Sequence, residues 1–286
     1  MPTRPLHLLR PARLGTSVVF ASPHSGRDYP PEFLRRTVLR GADIRSSEDA
    51  YVDRLFAAAP DHGALLLAGV PRAYLDLNRG PDELDPAVVE GVRSLGHNPR
   101  IASGLGVVPR VVAGGRAIYR GKIPLAEARA RIATFWRPYH PALAGLLEDA
   151  HGAFGAAILV DCHSMPHEAV AGVARAGTPR PDVVLGDRFG ASAAADVVAR
   201  VEAAFVAAGL TVARNMPFAG AYTVQHYGRP ACRQHVVQIE IDRSLYMDEA
   251  RLRPRDDFDD FAALMGRVTG DIAAIGRAEP GALAAE

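Results

Sequence analysis

Two apolar runs, each ending in a histidine, constrain this chain more than any other feature. Ala157-Ile-Leu-Val-Asp-Cys-His-Ser164 passes from aliphatic residues straight into Asp161, Cys162, His163 and Ser164, and Ser17-Val-Val-Phe-Ala-Ser22 opens into Pro23-His24-Ser25-Gly26. Short aliphatic and β-branched runs bounded by polar residues read as central strands covered on both faces. Ligands of open α/β sheets bind beyond the carboxyl ends of such strands, so His24 and His163 stand where chemistry is placed. Taken singly, each histidine reads equally well as a strand cap bonded to nearby backbone. The repetition of the pattern favours a shared site.

A chain of 286 residues fits one α/β unit of ordinary size. The sequence predicts a single domain over 1–286 with its core at about 15–277 and no internal repeat or linker. With 48% hydrophobic and 23% charged residues, disordered and fibrous classes drop out. A net charge of +1, with no basic cluster interleaved with aromatics, gives no footprint for nucleic acid. No apolar run reaches the roughly 18 residues of a membrane span, and Met1 to Arg13 lacks a signal-peptide core. The expectation is a cytoplasmic protein without a membrane or nucleic-acid partner. Cys162 and Cys232 are then free thiols, and Cys162 reads as a packed small residue rather than a nucleophile.

Between and beyond the two histidine strands, other segments end in polar chemistry. Ser46 to Phe56 reads as the start of a helix, with Glu48 and Asp49 either as first-turn carboxylates or, turned inward, as a metal ligand. Ala64–Val70 and the alternating Arg72–Arg79 read as strands. At the end of the second, Asn78 and Arg79 offer an amide and a planar fork suited to a carboxylate, or simply form a turn before Gly80-Pro81. Pro81 to Arg116 reads as a long structured loop without a dinucleotide fingerprint. Pro124 to Ala150 is expected to be helical, kinked or divided by Pro138 and Pro141. Further elements follow as a strand at Asp182–Asp187, a helix at Ala191–Ala208, a strand at Leu210–Ala213, a binding loop over 214–228 and a closing helix at Phe258–Ile275, with a fraying tail after Arg277. In Gln234–Arg243, alternation puts His235, Val237, Ile239 and Ile241 on one face and Val236, Gln238, Glu240 and Asp242 on the other. Glu240 is costly to bury there unless it has a partner: an arginine such as Arg243 or Arg233, or a metal-activated water over which it acts as base.

Pro23-His-Ser-Gly26, Glu48-Asp-Ala-Tyr-Val-Asp-Arg-Leu55, Asp76-Leu-Asn-Arg79, Asp161-Cys-His-Ser164, the loop from Pro217-Phe-Ala-Gly220 to His226-Tyr-Gly228, and Gln238-Ile-Glu-Ile-Asp-Arg243-Ser-Leu-Tyr246 stand in one order. In this the chain resembles the N-formylglutamate amidohydrolase family from about Val18 to about Asp248. The resemblance implies a single-domain α/β fold with a mixed, mainly parallel sheet and helices on both faces, phosphorylase/hydrolase-like and related to zinc carboxypeptidases. It also implies hydrolysis of an N-formyl amino acid, foremost N-formyl-L-glutamate to formate and L-glutamate, a step of histidine catabolism. Carried over residue by residue, His24 and His163 look like zinc ligands and Asp49 the acidic third, with Glu48 and Asp28 as competitors, because the position matching the carboxypeptidase His-x-x-Glu glutamate is Arg27 here. Glu240 resembles the general base, while Arg72 is expected to assist the carboxylate grip and to serve as the cation beside the tetrahedral oxyanion. Asn78 and Arg79 resemble the pair that grips a substrate carboxylate, with Arg214, Tyr222 and His226 as further substrate contacts.

Three other functions compete. The same scaffold could remove a different acyl group, or hold a metal or ligand without catalysis; retention of both histidines and Glu240 argues against the second. A serine hydrolase using Ser25 or Ser164 lacks the Gly-x-Ser-x-Gly elbow. A glutamate-selective site needs a second cation for the side-chain carboxylate, for which Arg214, Arg229 and Arg233 are candidates.

Overall fold

The computed structural model describes residues 4–93, 98–171 and 180–277. Seven strands form one sheet: β1 (Leu6–Leu9), β2 (Val18–Ser22), β3 (Ala64–Ala68), β4 (Ala157–Met165), β5 (Val183–Gly186), β6 (Val212–Arg214) and β7 (Gln234–Asp242), in the order β1-β3-β2-β4-β7-β5-β6. The central β3, β2, β4 and β7 are mutually parallel. β1 joins one side antiparallel to β3, and β5 joins the other antiparallel to β7, with β6 parallel to β5. The fold is therefore the expected mixed, mainly parallel α/β sheet.

Alternation within the central strands feeds two cores. Val19, Ala21, Leu66 and Leu159 face a layer that contains the helix Arg137–Phe154, which presents Leu143, Leu146, Leu147 and Ala150 at helical spacing. That helix stops at Gly155, whose left-handed φ of 68° lets its N–H return to His151 O at 2.8 Å. On the opposite face Phe20, Leu65, Val160, Val237 and Ile239 pack with the helices Ala195–Ala207 and Phe258–Ile275. A fully buried side chain of this size contributes about 1.5–3 kcal/mol by leaving water, and Phe20→Ala would also open a cavity, costing roughly 3–5 kcal/mol.

Several segments differ from the sequence expectation, in whole or in detail. The helix read from Ser46 shrinks to Val52–Leu55, because Tyr51 sits at φ 66° and the Asp49 N–H donates to His24 O at 3.1 Å instead of to a helical carbonyl. Arg72–Arg79 is not a strand but a turn after Pro71, with the Asp76 N–H donating to Val107 O at 2.8 Å. Its apolar residues are buried because Val88, Val89, Val107, Val108, Ile118 and Ile123 pack with them, not because they enter the sheet. The helix expected from Pro124 is divided into Leu125–Arg131 and Arg137–Phe154 by a π-helical turn, Ile132–Trp136, ahead of both prolines; a wider turn accommodates the missing proline donors. β1 has no counterpart in the sequence reading, since four half-exposed residues give too short a pattern to register. The expected irregular stretch after His167 begins as a short helix, His167–Ala171; the rest of it up to 179, and the expected fraying tail after Arg277, lie outside the described residues.

Candidate metal centre

Sheet register sets the depth of the chemistry. Ala21 of β2 pairs with Asp161 of β4, and His163 of β4 pairs with Glu240 of β7, so three neighbouring parallel strands end at one level. His24 lies just past β2 on a turn that passes close under the loop after β3. A Cβ on Gly26 would stand 2.2 Å from Val70 O, so only glycine fits. Asp49 joins them through its backbone bond to His24 O and through Arg243, whose Nη2 donates to Asp49 Oδ1 at 3.1 Å.

The result is a buried cluster of His24, Asp49 and His163. His163 Nδ1 lies 3.1 Å from His24 Nδ1 and 2.9 Å from Asp49 Oδ2, and His24 Nδ1 lies 3.4 Å from the same oxygen. The other ring nitrogens face carboxylates: His24 Nε2 is 2.7 Å from Asp76 Oδ1, and His163 Nε2 is 3.0 Å from Asp161 Oδ2. His24, whose Nε2 gives its proton to Asp76, turns a bare Nδ1 lone pair the other way. That lone pair, His163 Nδ1 and the Asp49 carboxylate oxygen converge within 3.4 Å, an arrangement that calls for positive charge between them. Donor atoms about 2 Å from one tetrahedral centre are roughly 3.3 Å apart, which matches the observed spacing. The residues fit a zinc-type ion on both donor chemistry and geometry.

The surrounding carboxylates favour positive charge in the cluster, which without an ion is met by a proton on the His163 ring. Burial disfavours an imidazolium at His163, but Asp161, Asp49 and Glu240 outweigh it and hold the ring well above its ordinary pKa. Burial likewise opposes charge on Asp49, yet bonds from His163 and His24 keep its carboxyl well below the usual range. Glu240 is 8% exposed and accepts from Gln238 Nε2 at 2.8 Å. Burial, reinforced by Asp49 against the relief from His163, Arg72 and Arg243, pushes its pKa up to about 7, where a carboxyl group can both take and give a proton near neutral pH.

Above the cluster opens a cavity of about 530 Å³, lined among others by Arg72, Asn78, Arg79, Arg100, Glu240 and Arg243. Arg72 Nε donates to Asp76 Oδ2 at 3.0 Å; burial opposes its charge, but Asp76 and Asp49 prevail and raise its pKa. Arg79 is aimed by bonds to the carbonyls of Leu105 (2.8 Å) and Asn78 (2.7 Å). Asn78 accepts the Thr223 N–H at 2.8 Å, and its Nδ2 lies 3.3 Å from His163 Nε2.

Of the residues singled out in the sequence, His24, Asp49, Arg72, Asn78, Arg79, His163 and Glu240 share this cavity. Others lie elsewhere. Glu48 turns away from the histidines to Arg45 and Tyr29, and Asp28 is exposed. Arg214 is held outside by Glu202. Tyr222 and His226 stack on each other, centroids 4.9 Å apart, outside the cavity, which is lined instead by the preceding 217–221 segment. Arg229 and Arg233 are exposed before the start of β7, about 20 Å along the strand direction from the level of Glu240. Ser25 leans to Ser22 O at 3.4 Å and Ser164 Oγ accepts from Arg243 Nε, so neither hydroxyl meets a histidine base. Cys162 points into the core, where burial and then Asp161 raise its thiol pKa well above normal; both cysteines are free thiols.

The sequence reading missed Asp76 and Asp161 as histidine partners, and Arg100 and Arg243 as cavity cations. For Asp161 a signal was available: two residues before His163 in a strand, it shares the same face. Among the described residues no helix is long and apolar enough to cross a membrane.

A family model described as N-formylglutamate amidohydrolase matches residues 16–247. An N-formylglutamate deformylase of Pseudomonas aeruginosa is 32% identical over 243 residues, covering 81% of this chain and 82% of the relative, and one of Pseudomonas putida is 30% identical over 242 residues with the same coverage. The crystal structure of N-formylglutamate amidohydrolase from Ralstonia eutropha is similar with a TM-score of 0.88 at 36% identity, over 95% of this chain and 98% of that one.

Proposed function

This chain belongs to the N-formylglutamate amidohydrolase family, and from that premise we propose that it hydrolyses the formamide bond of N-formyl-L-glutamate, releasing formate and L-glutamate, with zinc held by His24, Asp49 and His163. The observation that carries the reading is the convergence of two imidazole Nδ1 atoms and one carboxylate oxygen beside Glu240, at the floor of an arginine-lined cavity. Zinc bound there supplies a Lewis acid that polarises the formyl carbonyl and acidifies water.

The chain's own residues do the rest. Asp76 and Asp161 fix the tautomer and ring orientation of the two histidines. Glu240 takes a proton from the attacking water and delivers it to the departing amine nitrogen, so the C–N bond breaks to a neutral amine. Arg72 faces the developing oxyanion with a charge already oriented by Asp76. Arg79 and Asn78 hold the α-carboxylate and set the register of the scissile bond.

The test is formate release from N-formyl-L-glutamate by protein as purified, after chelation, and after zinc is restored. Loss on chelation and recovery with zinc supports the reading; a zinc-loaded protein that releases no formate overturns the substrate, and full activity after complete metal removal overturns the metal.

A further inference from the structure

The α-carboxylate grip uses one cation, and the cavity holds another that neither the proposed mechanism nor the metal cluster occupies. Arg100 sits on the short helix Pro99–Ala102, capped by Asn98, whose Oδ1 accepts from the Arg100 N–H at 2.9 Å and whose Nδ2 donates to Glu83 Oε2 at 3.1 Å. Its Nη2 donates to Gly220 O at 3.2 Å, which ties it to the segment forming the opposite wall. Among the described residues no carboxylate lies within 4.0 Å of its guanidinium, whereas Arg243 has Asp49 at 3.1 Å and Arg72 has Asp76 at 3.0 Å. Arg79, 5% exposed, has only Asp76 at 4.0 Å, and that same carboxylate already serves His24 and Arg72.

Arg72 and Arg79 therefore share one carboxylate, and Arg100 lines the same cavity without one. Burial lowers the pKa of Arg79, Asp76 offsets this, and Arg72 and Arg100 press it further down, as expected where positive charge is in excess. Such an excess in a cavity is relieved by an anionic ligand, and with Arg79 on one carboxylate, Arg100 is placed for a second.

We propose that Arg100 reads the side-chain carboxylate of the substrate and makes the cavity selective for acidic N-formyl amino acids over their neutral isosteres. This rests on the reading of the site as a deformylase. Because Arg100 grips a group remote from the reacting carbon, its contribution is binding that is equal in ground and transition states, visible in KM rather than kcat.

The experiment compares N-formyl-L-glutamate with N-formyl-L-glutamine on wild type, R100Q and R100K. The wild type is expected to prefer the glutamate compound, R100Q to lose roughly 10- to 100-fold of kcat/KM on it, mostly through KM, and the preference to collapse towards one, with R100K intermediate. An equal loss on both compounds, a preference that survives in R100Q, or a wild type without preference each overturns the assignment. A second arm measures glutarate binding to zinc-loaded protein by calorimetry. Weaker binding to R100Q by a similar factor supports the assignment, and equal or absent binding overturns it. If the wild type hydrolyses neither formyl compound, the deformylase reading fails by itself, while the binding arm still decides whether Arg100 reads a dicarboxylate.

Discussion

Glu240→Gln separates the proposed proton carrier from the proposed metal site. The side chain is buried, and it is not one of the three groups whose donor atoms converge, so an amide of the same shape leaves the histidines and Asp49 in place. What is lost is a group that ionises near neutrality: with a pKa of about 7, about half the molecules carry the base at pH 7 and roughly nine-tenths at pH 8. A cation bound beside it lowers that value, so the acid limb of kcat/KM is expected at or below pH 7. Proton transfer by a positioned carboxylate is worth roughly 10²–10⁴-fold, or about 3–5 kcal/mol of barrier, and Glu240→Gln is expected to lose that much kcat together with the acid limb. The raised pKa also implies that metal-free protein loses stability as pH climbs from the unfolded value of 4.5 through about 7, so the metal-free variant should outlast wild type in urea at pH 8 but not at pH 4. Formate release at saturating substrate, read against zinc content per chain, tests the assignment. A variant with full zinc and kcat within threefold of wild type would refute it.

Asp161→Asn keeps a group beside His163 Nε2 but removes the charge that fixes it; zinc affinity, measured by competition with a chromophoric chelator, is expected to fall roughly 10- to 100-fold, and an unchanged affinity counts against the orienting role. His140 is buried between Tyr227 Oη and Leu77 O, both at 2.9 Å, and burial foremost lowers its pKa from 6.5 to about 4. A depressed histidine contributes stability that is present above pH 6.5 and lost as pH falls through about 4, up to about 3 kcal/mol; urea midpoints across that window should drop in wild type and flatten in His140→Gln. Gly26→Ala forces a methyl group into Val70 O, and the turn carrying His24 must move; a loss of roughly 1–3 kcal/mol with weakened zinc binding is expected, and a Tm equal to wild type would show that the turn has slack.

The strands that deliver His24, His163 and Glu240 were legible because burial on both faces leaves an unambiguous apolar signature, with His163 and Glu240 two residues inside the carboxyl ends of their strands and His24 two residues past its own. Asp49 and the Arg72–Arg79 segment were legible as chemistry but not as structure. Asp49 reads as a residue in a helix's first turn, yet a backbone bond to His24 O and a left-handed Tyr51 override the local preference. Arg72–Arg79 alternates like a strand, but a turn anchored by Val107 buries both of its faces. Arg100 gave no signal, since its place depends on Asn98, Glu83 and Gly220 meeting across more than a hundred residues. In the expected binding loop over 214–228, Tyr222 and His226 look like contacts by composition, while it is residues 217–221 before them that line the cavity.

The metal cluster is thus built from parts of unequal rigidity. His163 lies within a nine-residue, wholly buried strand paired on both sides, and His24 follows β2 by two residues; moving either requires disturbing the centre of the sheet. Asp49 has no such support. Its segment belongs to no strand, and it reaches the cluster only because the Asp49 N–H is tied to His24 O while Arg243 takes Oδ1 and turns Oδ2 toward the rings. Arg243 in turn is fixed by the Ser164 hydroxyl and carbonyl at the end of the histidine strand. The carboxylate of the cluster is therefore positioned by the same strand that delivers its histidine neighbour, through one guanidinium. This relay makes Asp49 rather than Glu48 the acidic member: one position earlier, Arg45 and Tyr29 have already claimed the carboxylate and face it away from the sheet.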